Sequence, residues 1–88
     1  MTEATFKILY LNGVHARPAT MLVLKASSFQ CNVYLTYKDT SVNMKSIMGV
    51  LSLSIPQAHP FKVTCSGVDE QEAILAIGRV VAEINQMK

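Results

Sequence analysis

Two stretches of the chain repeat their apolar residues with a helical period. Ala19, Leu22, Val23, Ala26 and Phe29 fall on one stripe of a helix expected from about Ala16 to Ser28. Ala73, Ile74, Ile77, Val80, Val81 and Ile84 form the apolar stripe of a final helix. Asp69 stands where an N-cap is needed, and Glu72 follows three residues on, as in a capping box. Elsewhere the pattern alternates. From Cys31 to Tyr37, Val33, Leu35 and Tyr37 face one way and Tyr34 and Thr36 the other, and Phe61 to Cys65 alternates again before Ser66-Gly67. Thr5 to Leu11, rich in β-branched, aromatic and aliphatic residues, reads as a first strand broken by Asn12-Gly13. Lys38-Asp39-Thr40 is a turn into a short return strand, Ser41 to Met44. Ile47 to Leu53 is a brief helix, and Pro56 and Pro60, which cannot donate to a ladder, make 55–60 a loop. The order β-α-β-β-α-β-α, with helices on one face of a largely antiparallel sheet, is an α+β open sandwich.

Eighty-eight residues form a single domain spanning 1–88. Half are hydrophobic and 16% are charged, which suits a packed core rather than a disordered chain. The net charge of +2 is too small, and its lysines and arginines too scattered, for a nucleic-acid binder. No segment approaches the ~20 apolar residues that span a bilayer. The N-terminus lacks a signal-peptide pattern, so membrane insertion is not expected and the location is expected to be cytoplasmic. Cys31 and Cys65 have no CxxC partner; they are expected to be free thiols in the sheet region, and no zinc or other metal site is visible.

The segment Gly13-Val14-His15-Ala16-Arg17-Pro18-Ala19-Thr20 carries the first candidate chemistry. Pro18 fits the first turn of a helix, so His15 lies at or just before the helix start. Histidine is a poor N-cap. The open N–H groups of Ala16 and Arg17 and the helix dipole, about half a positive charge, make an anion site there. A phosphate on the His15 ring would sit in that field with the Arg17 guanidinium as a forked partner. The field also favours the uncharged, nucleophilic imidazole. On spacing alone, the same residues describe a surface histidine beside an exposed arginine, with Gly13 as turn chemistry.

Ser46 is a natural N-cap for the short helix. That helix can bury Val50 and Leu53 on one face. Ile47, Met48 and Leu51 would then be partly exposed as a docking patch, or else all are core. A phosphate ester on Ser46 would add a charge of about −1.5 to −2 beside the patch. Lys45 would lie next to it.

Taken together, these residues resemble the HPr family, the histidine-containing phosphocarriers of the bacterial phosphoenolpyruvate:sugar phosphotransferase system. Gly13-Val14-His15-Ala16-Arg17-Pro18-Ala19 matches the family's phosphohistidine signature, and Ser41-Val42-Asn43-Met44-Lys45-Ser46-Ile47-Met48-Gly49-Val50 matches its regulatory serine signature. Ala26-Ser27 and Gly67-Val68-Asp69-Glu70 extend the likeness over essentially the whole chain. The resemblance implies a four-stranded antiparallel sheet covered on one face by three helices. It implies that phospho-enzyme I phosphorylates His15 at Nδ1, that His15 donates to the IIA domains of sugar permeases, and that Arg17 stabilises the phosphoryl group. Thr20, Leu24, Ile47, Met48 and Leu51 match the family's docking surface. The Lys45-to-Gly49 form looks like the Gram-positive type, in which a serine kinase modifies Ser46 and the product serves a catabolite-control transcription factor. No cofactor is implied, and the protein is expected to be a carrier in sugar transport rather than a stand-alone enzyme. The other readings are a mainly regulatory protein acting through Ser46 and a small adaptor without phosphate chemistry.

The chain departs from the family between Ser54 and Pro60, where two glycines are usual and none is present. The backbone there must differ or be strained. Leu24 replaces a residue more often polar, which enlarges the apolar patch. His59 matches nothing in the family's chemistry and reads as a loop histidine.

Overall fold

The computed structural model describes residues 1–11 and 13–87. Its elements run β1 (Thr2–Phe6), α1 (Ala16–Ser27), β2 (Asn32–Tyr37), β3 (Thr40–Asn43), α2 (Ile47–Ser52), β4 (Phe61–Ser66) and α3 (Glu70–Asn85). The four strands form one sheet in the order β1-β4-β2-β3, with every neighbouring pair antiparallel. This is the expected α+β open-faced sandwich.

Alternation decides which face of the sheet is covered. Val33, Leu35, Phe61, Val63 and Cys65 point into the core, while Asn32, Tyr34 and Lys62 remain exposed. Ala19, Leu22, Val23 and Ala26 of α1 and the whole predicted stripe of α3 are buried, so each helix turns its apolar side inward. The two helices pack on each other, and α3 also packs on β1 and β4.

Two local expectations are corrected. The first strand is Thr2–Phe6, not Thr5 to Leu11. Phe6 pairs with Phe61, the first residue of β4, and Pro60 before it cannot extend the ladder. Residues beyond Phe6 therefore have no strand to pair with. Asp69 is the N-cap of α3 but its side chain makes no capping bond, and Glu72 is exposed. The Asp69 carboxylate instead accepts from the amides of Gln30 (2.8 Å) and Cys31 (2.9 Å), tying the α1–β2 connection to the start of α3. Those amide bonds, that of Gln30 first, hold its carboxyl below the usual range. Glu70 takes the local role, accepting from Gly67 N–H at 3.2 Å and from the Thr2 hydroxyl, and pairing with the Met1 ammonium at 2.9 Å.

Cys31 and Cys65 are free and buried. Burial, reinforced by the neighbouring Asp69 carboxylate and Cys65, pushes the Cys31 thiol up to about 12. Burial likewise raises Cys65. Both therefore stay protonated and unreactive at neutral pH. The exposed His59 accepts or shares a hydrogen bond between Nδ1 and the Tyr37 hydroxyl at 3.0 Å.

Candidate functional site

His15 occupies the N-cap of α1 with an extended backbone (φ −112°, ψ −159°). Its carbonyl accepts the first helical bond, from Ala19 N–H at 2.8 Å. Its ring makes no capping bond and is exposed, as are Ala16 and Arg17. Pro18 has no N–H, so the open donors of the first turn reduce to the amides of Ala16 and Arg17. Neither has a partner among the described residues. The helix start thus presents two N–H groups and a positive dipole end beside an imidazole that no cap bond occupies.

Val14 anchors the residue before the ring: its side chain is buried and its N–H donates to Ile55 carbonyl at 3.0 Å, whereas His15 is exposed. Gly13 lets the two backbones approach. At its φ of +65°, a Cβ would lie 2.4 Å from Ile55 O, 2.6 Å from Pro56 C and 2.7 Å from Gln57 N. The glycine-free loop thus abuts the segment that carries His15. Ser54 (φ +49°) and Ala58 (φ +66°) adopt left-handed backbone conformations, so the expected strain is present.

The Ser46 N-cap forms as expected. Ser46 Oγ accepts from Gly49 N–H at 3.1 Å, and its carbonyl accepts from Val50 N–H at 3.0 Å. Lys45 precedes Ser46, and its ammonium donates to Phe29 carbonyl at 2.8 Å, just past the end of α1.

Thr20 and Leu24 follow Ala16 at successive four-residue steps along the exposed side of α1, and Thr20 donates its hydroxyl proton to Ala16 carbonyl at 2.8 Å. Leu24 is 66% exposed. On α2, which packs against α1, Met48 is 79% and Ile47 42% exposed. Leu51 and Leu53 are half-buried against the core, and Val50 is fully buried. The short helix is therefore neither all core nor all patch. Leu9 and Leu11, expected in the first strand, lie beyond its end and are 53% and 70% exposed. Only the limits of β1 would have revealed them, and those depend on where β4 begins.

A concavity of about 280 Å³ between α1 and α3, lined by Met21, Leu24, Lys25, Ser28, Val80 and Glu83, contains neither His15 nor Ser46. His15 is exposed and Ser46 is partly exposed, both outside that concavity. Among the described residues, no group of three or more His, Cys, Asp or Glu side chains is placed to hold a metal ion. No helix among them is long and apolar enough to cross a membrane.

A family model described as the PTS HPr component phosphorylation site matches residues 2–83. Solved structures agree in shape along the chain. An HPr from Thermoanaerobacter tengcongensis superposes with a TM-score of 0.94 at 36% identity, covering 100% of this chain and 99% of that one. A histidine-containing phosphocarrier protein of Mycoplasma gives 0.92 at 29% identity, covering 99% of each chain. Crh, the catabolite repression protein of Bacillus subtilis, described as a swapped dimer, gives 0.74 at 34% identity, with 94% of this chain and 95% of that one covered.

Proposed function

This chain belongs to the HPr family of phosphotransferase-system phosphocarriers, and from that membership we propose that His15 is its phosphoryl acceptor and donor. The observation that carries this reading is an exposed imidazole at the N-cap of α1, with no capping bond, beside the open amides of Ala16 and Arg17. The ring attacks the phosphorus of a phosphorylated donor, enzyme I, through Nδ1. The donor's own phosphorus–nitrogen bond breaks as the new one forms. The amides and the Arg17 guanidinium hold the phosphoryl oxygens. A phosphorus–nitrogen bond is labile, so the group passes on to a IIA domain of a sugar permease. Thr20, Leu24, Ile47, Met48 and Leu51 form the docking surface for these partners, in the cytoplasm.

The second role in this reading is regulation at Ser46. Its hydroxyl caps α2 beside the exposed Ile47 and Met48, so a phosphate ester there would set a dianion against an apolar docking patch. That charge would weaken docking of enzyme I and give a catabolite-control transcription factor a new feature to recognise. The likeness to Crh supports this role.

Incubation with phosphoenolpyruvate and enzyme I tests the carrier role. An acid-labile, base-stable phosphate is expected on the wild-type chain. An acid-stable phosphate made only by an ATP-dependent serine kinase would leave the regulatory role alone. No label under either condition would make the chain an adaptor.

A further inference from the structure

Among the described residues between Phe6 and Ala16 none has a ladder partner, yet the segment must deliver His15 to a defined place. Among the described residues, its backbone is gripped from two sides. From the C-terminal end of α3, Asn85 Oδ1 accepts from Leu9 N–H at 2.7 Å, and Asn85 Nδ2 donates to Lys7 carbonyl at 3.2 Å. From the loop between α2 and β4, Ala58 N–H donates to Ile8 carbonyl at 2.8 Å, and Gln57 Nε2 donates to Leu9 carbonyl at 2.9 Å. Leu9 thus has its N–H held by a helix and its C=O held by a loop.

A short series of backbone bonds leads from there to the main chain of His15. Tyr10 carbonyl, next along the chain, accepts from Gly13 N–H at 2.9 Å, and Gly13 carbonyl accepts from His15 N–H at 3.0 Å. The loop that presents Gln57 turns through left-handed Ser54 and Ala58, and Gly13 is the residue that lets it approach. Gln57 itself is exposed and stands outside the core, and among the described residues its side-chain amide donates to Leu9 carbonyl.

We propose that Gln57 is a positioning residue for His15, acting through Leu9 to fix the ring relative to the amides of Ala16 and Arg17. The inference rests on the phosphocarrier reading above. Transfer requires the ring nitrogen in line with the phosphorus, and small displacements of a reacting group cost much of the rate.

The test compares wild type with Gln57→Met, which keeps the length and loses the donor, and Gln57→Lys, which keeps a donor. Phosphate acceptance from enzyme I and the His15 ring proton resonance are measured together. Gln57→Met is expected to lower the maximal transfer rate about tenfold. The enzyme I assay should show an unchanged half-saturating concentration, and the ring resonance should move. Gln57→Lys should restore both. A wild-type rate and ring signal in Gln57→Met would overturn the proposal and leave the carrier reading standing. So would a loss seen only in half-saturation with the ring signal unmoved, since that would make Gln57 a direct docking contact. If the wild-type chain took no phosphate, the carrier reading would fail. The ring signal would then decide alone: displaced in Gln57→Met it supports positioning, unmoved it overturns it.

Discussion

The amide of Val14 donates to the carbonyl of Ile55 at 3.0 Å, joining the segment that carries His15 to the loop between α2 and β4. The bond requires close approach of two backbones, and Gly13 permits it. Any side chain at Gly13 would have to displace Ile55 carbonyl and also accept a left-handed backbone. Gly13→Ala is therefore expected to destabilise the chain by about 2–3 kcal/mol. Denaturant unfolding checks this, and phosphate acceptance should fall even where the variant remains folded.

Ser54 and Ala58 present the opposite case. Both hold left-handed conformations that suit glycine, at positions where the chain has none. The strain relieved by glycine is about 1–2 kcal/mol per residue. Added freedom in the unfolded chain offsets about 0.4–1 kcal/mol of that. Ser54→Gly and Ala58→Gly should each raise stability by about 0.5–1 kcal/mol, seen as a higher denaturant midpoint with an unchanged slope.

Acid unfolding should expose the grip on β1. The Thr2 hydroxyl first, then the Met1 ammonium and the Gly67 amide, hold the Glu70 carboxyl at about 2, below its ordinary 4.5. Between those values the unfolded chain binds more protons than the folded one, so stability rises as pH rises. The contribution is whole above pH 4.5 and is lost as pH drops through about 2. Asp69 acts in the same direction. Glu70→Gln should flatten the acid limb of the stability–pH curve without removing it, since Asp69 remains. A curve identical to wild type would contradict the assignment.

Ser46 separates structure from regulation. Ser46→Ala removes the Oγ that caps α2, and should cost about 1 kcal/mol. Ser46→Asp keeps a capping oxygen and adds charge beside Ile47 and Met48. It should stay folded yet accept phosphate from enzyme I more slowly than wild type. An equal rate would remove the switch.

The long apolar stripes were legible because burial of one helix face dictates them. Every stripe residue of α3 named from spacing is buried, as are Ala19, Leu22, Val23 and Ala26 in α1. His15 at a helix start followed from Pro18, a strictly local signal. The absence of glycine between Ser54 and Pro60 announced a backbone that differs or is strained, and two left-handed residues there show the second. What escaped was set by partners distant in sequence. β1 ends where Phe61 begins β4, so Leu9 and Leu11 are exposed rather than paired. Asp69 caps amides 38 and 39 residues away instead of its own helix. Lys45 is drawn to Phe29 carbonyl, a bond that no local pattern encodes.

The most direct test is to map the phosphate after reaction with phosphoenolpyruvate and enzyme I, in wild type and His15→Ala. The His15 ring makes no capping bond, so His15→Ala should fold with stability within about 0.5 kcal/mol of wild type. The account predicts one acid-labile phosphate at Nδ1 of His15 in wild type and none in the variant. A folded His15→Ala chain that still takes acid-labile phosphate, or a wild-type phosphate mapped to another residue, would contradict it.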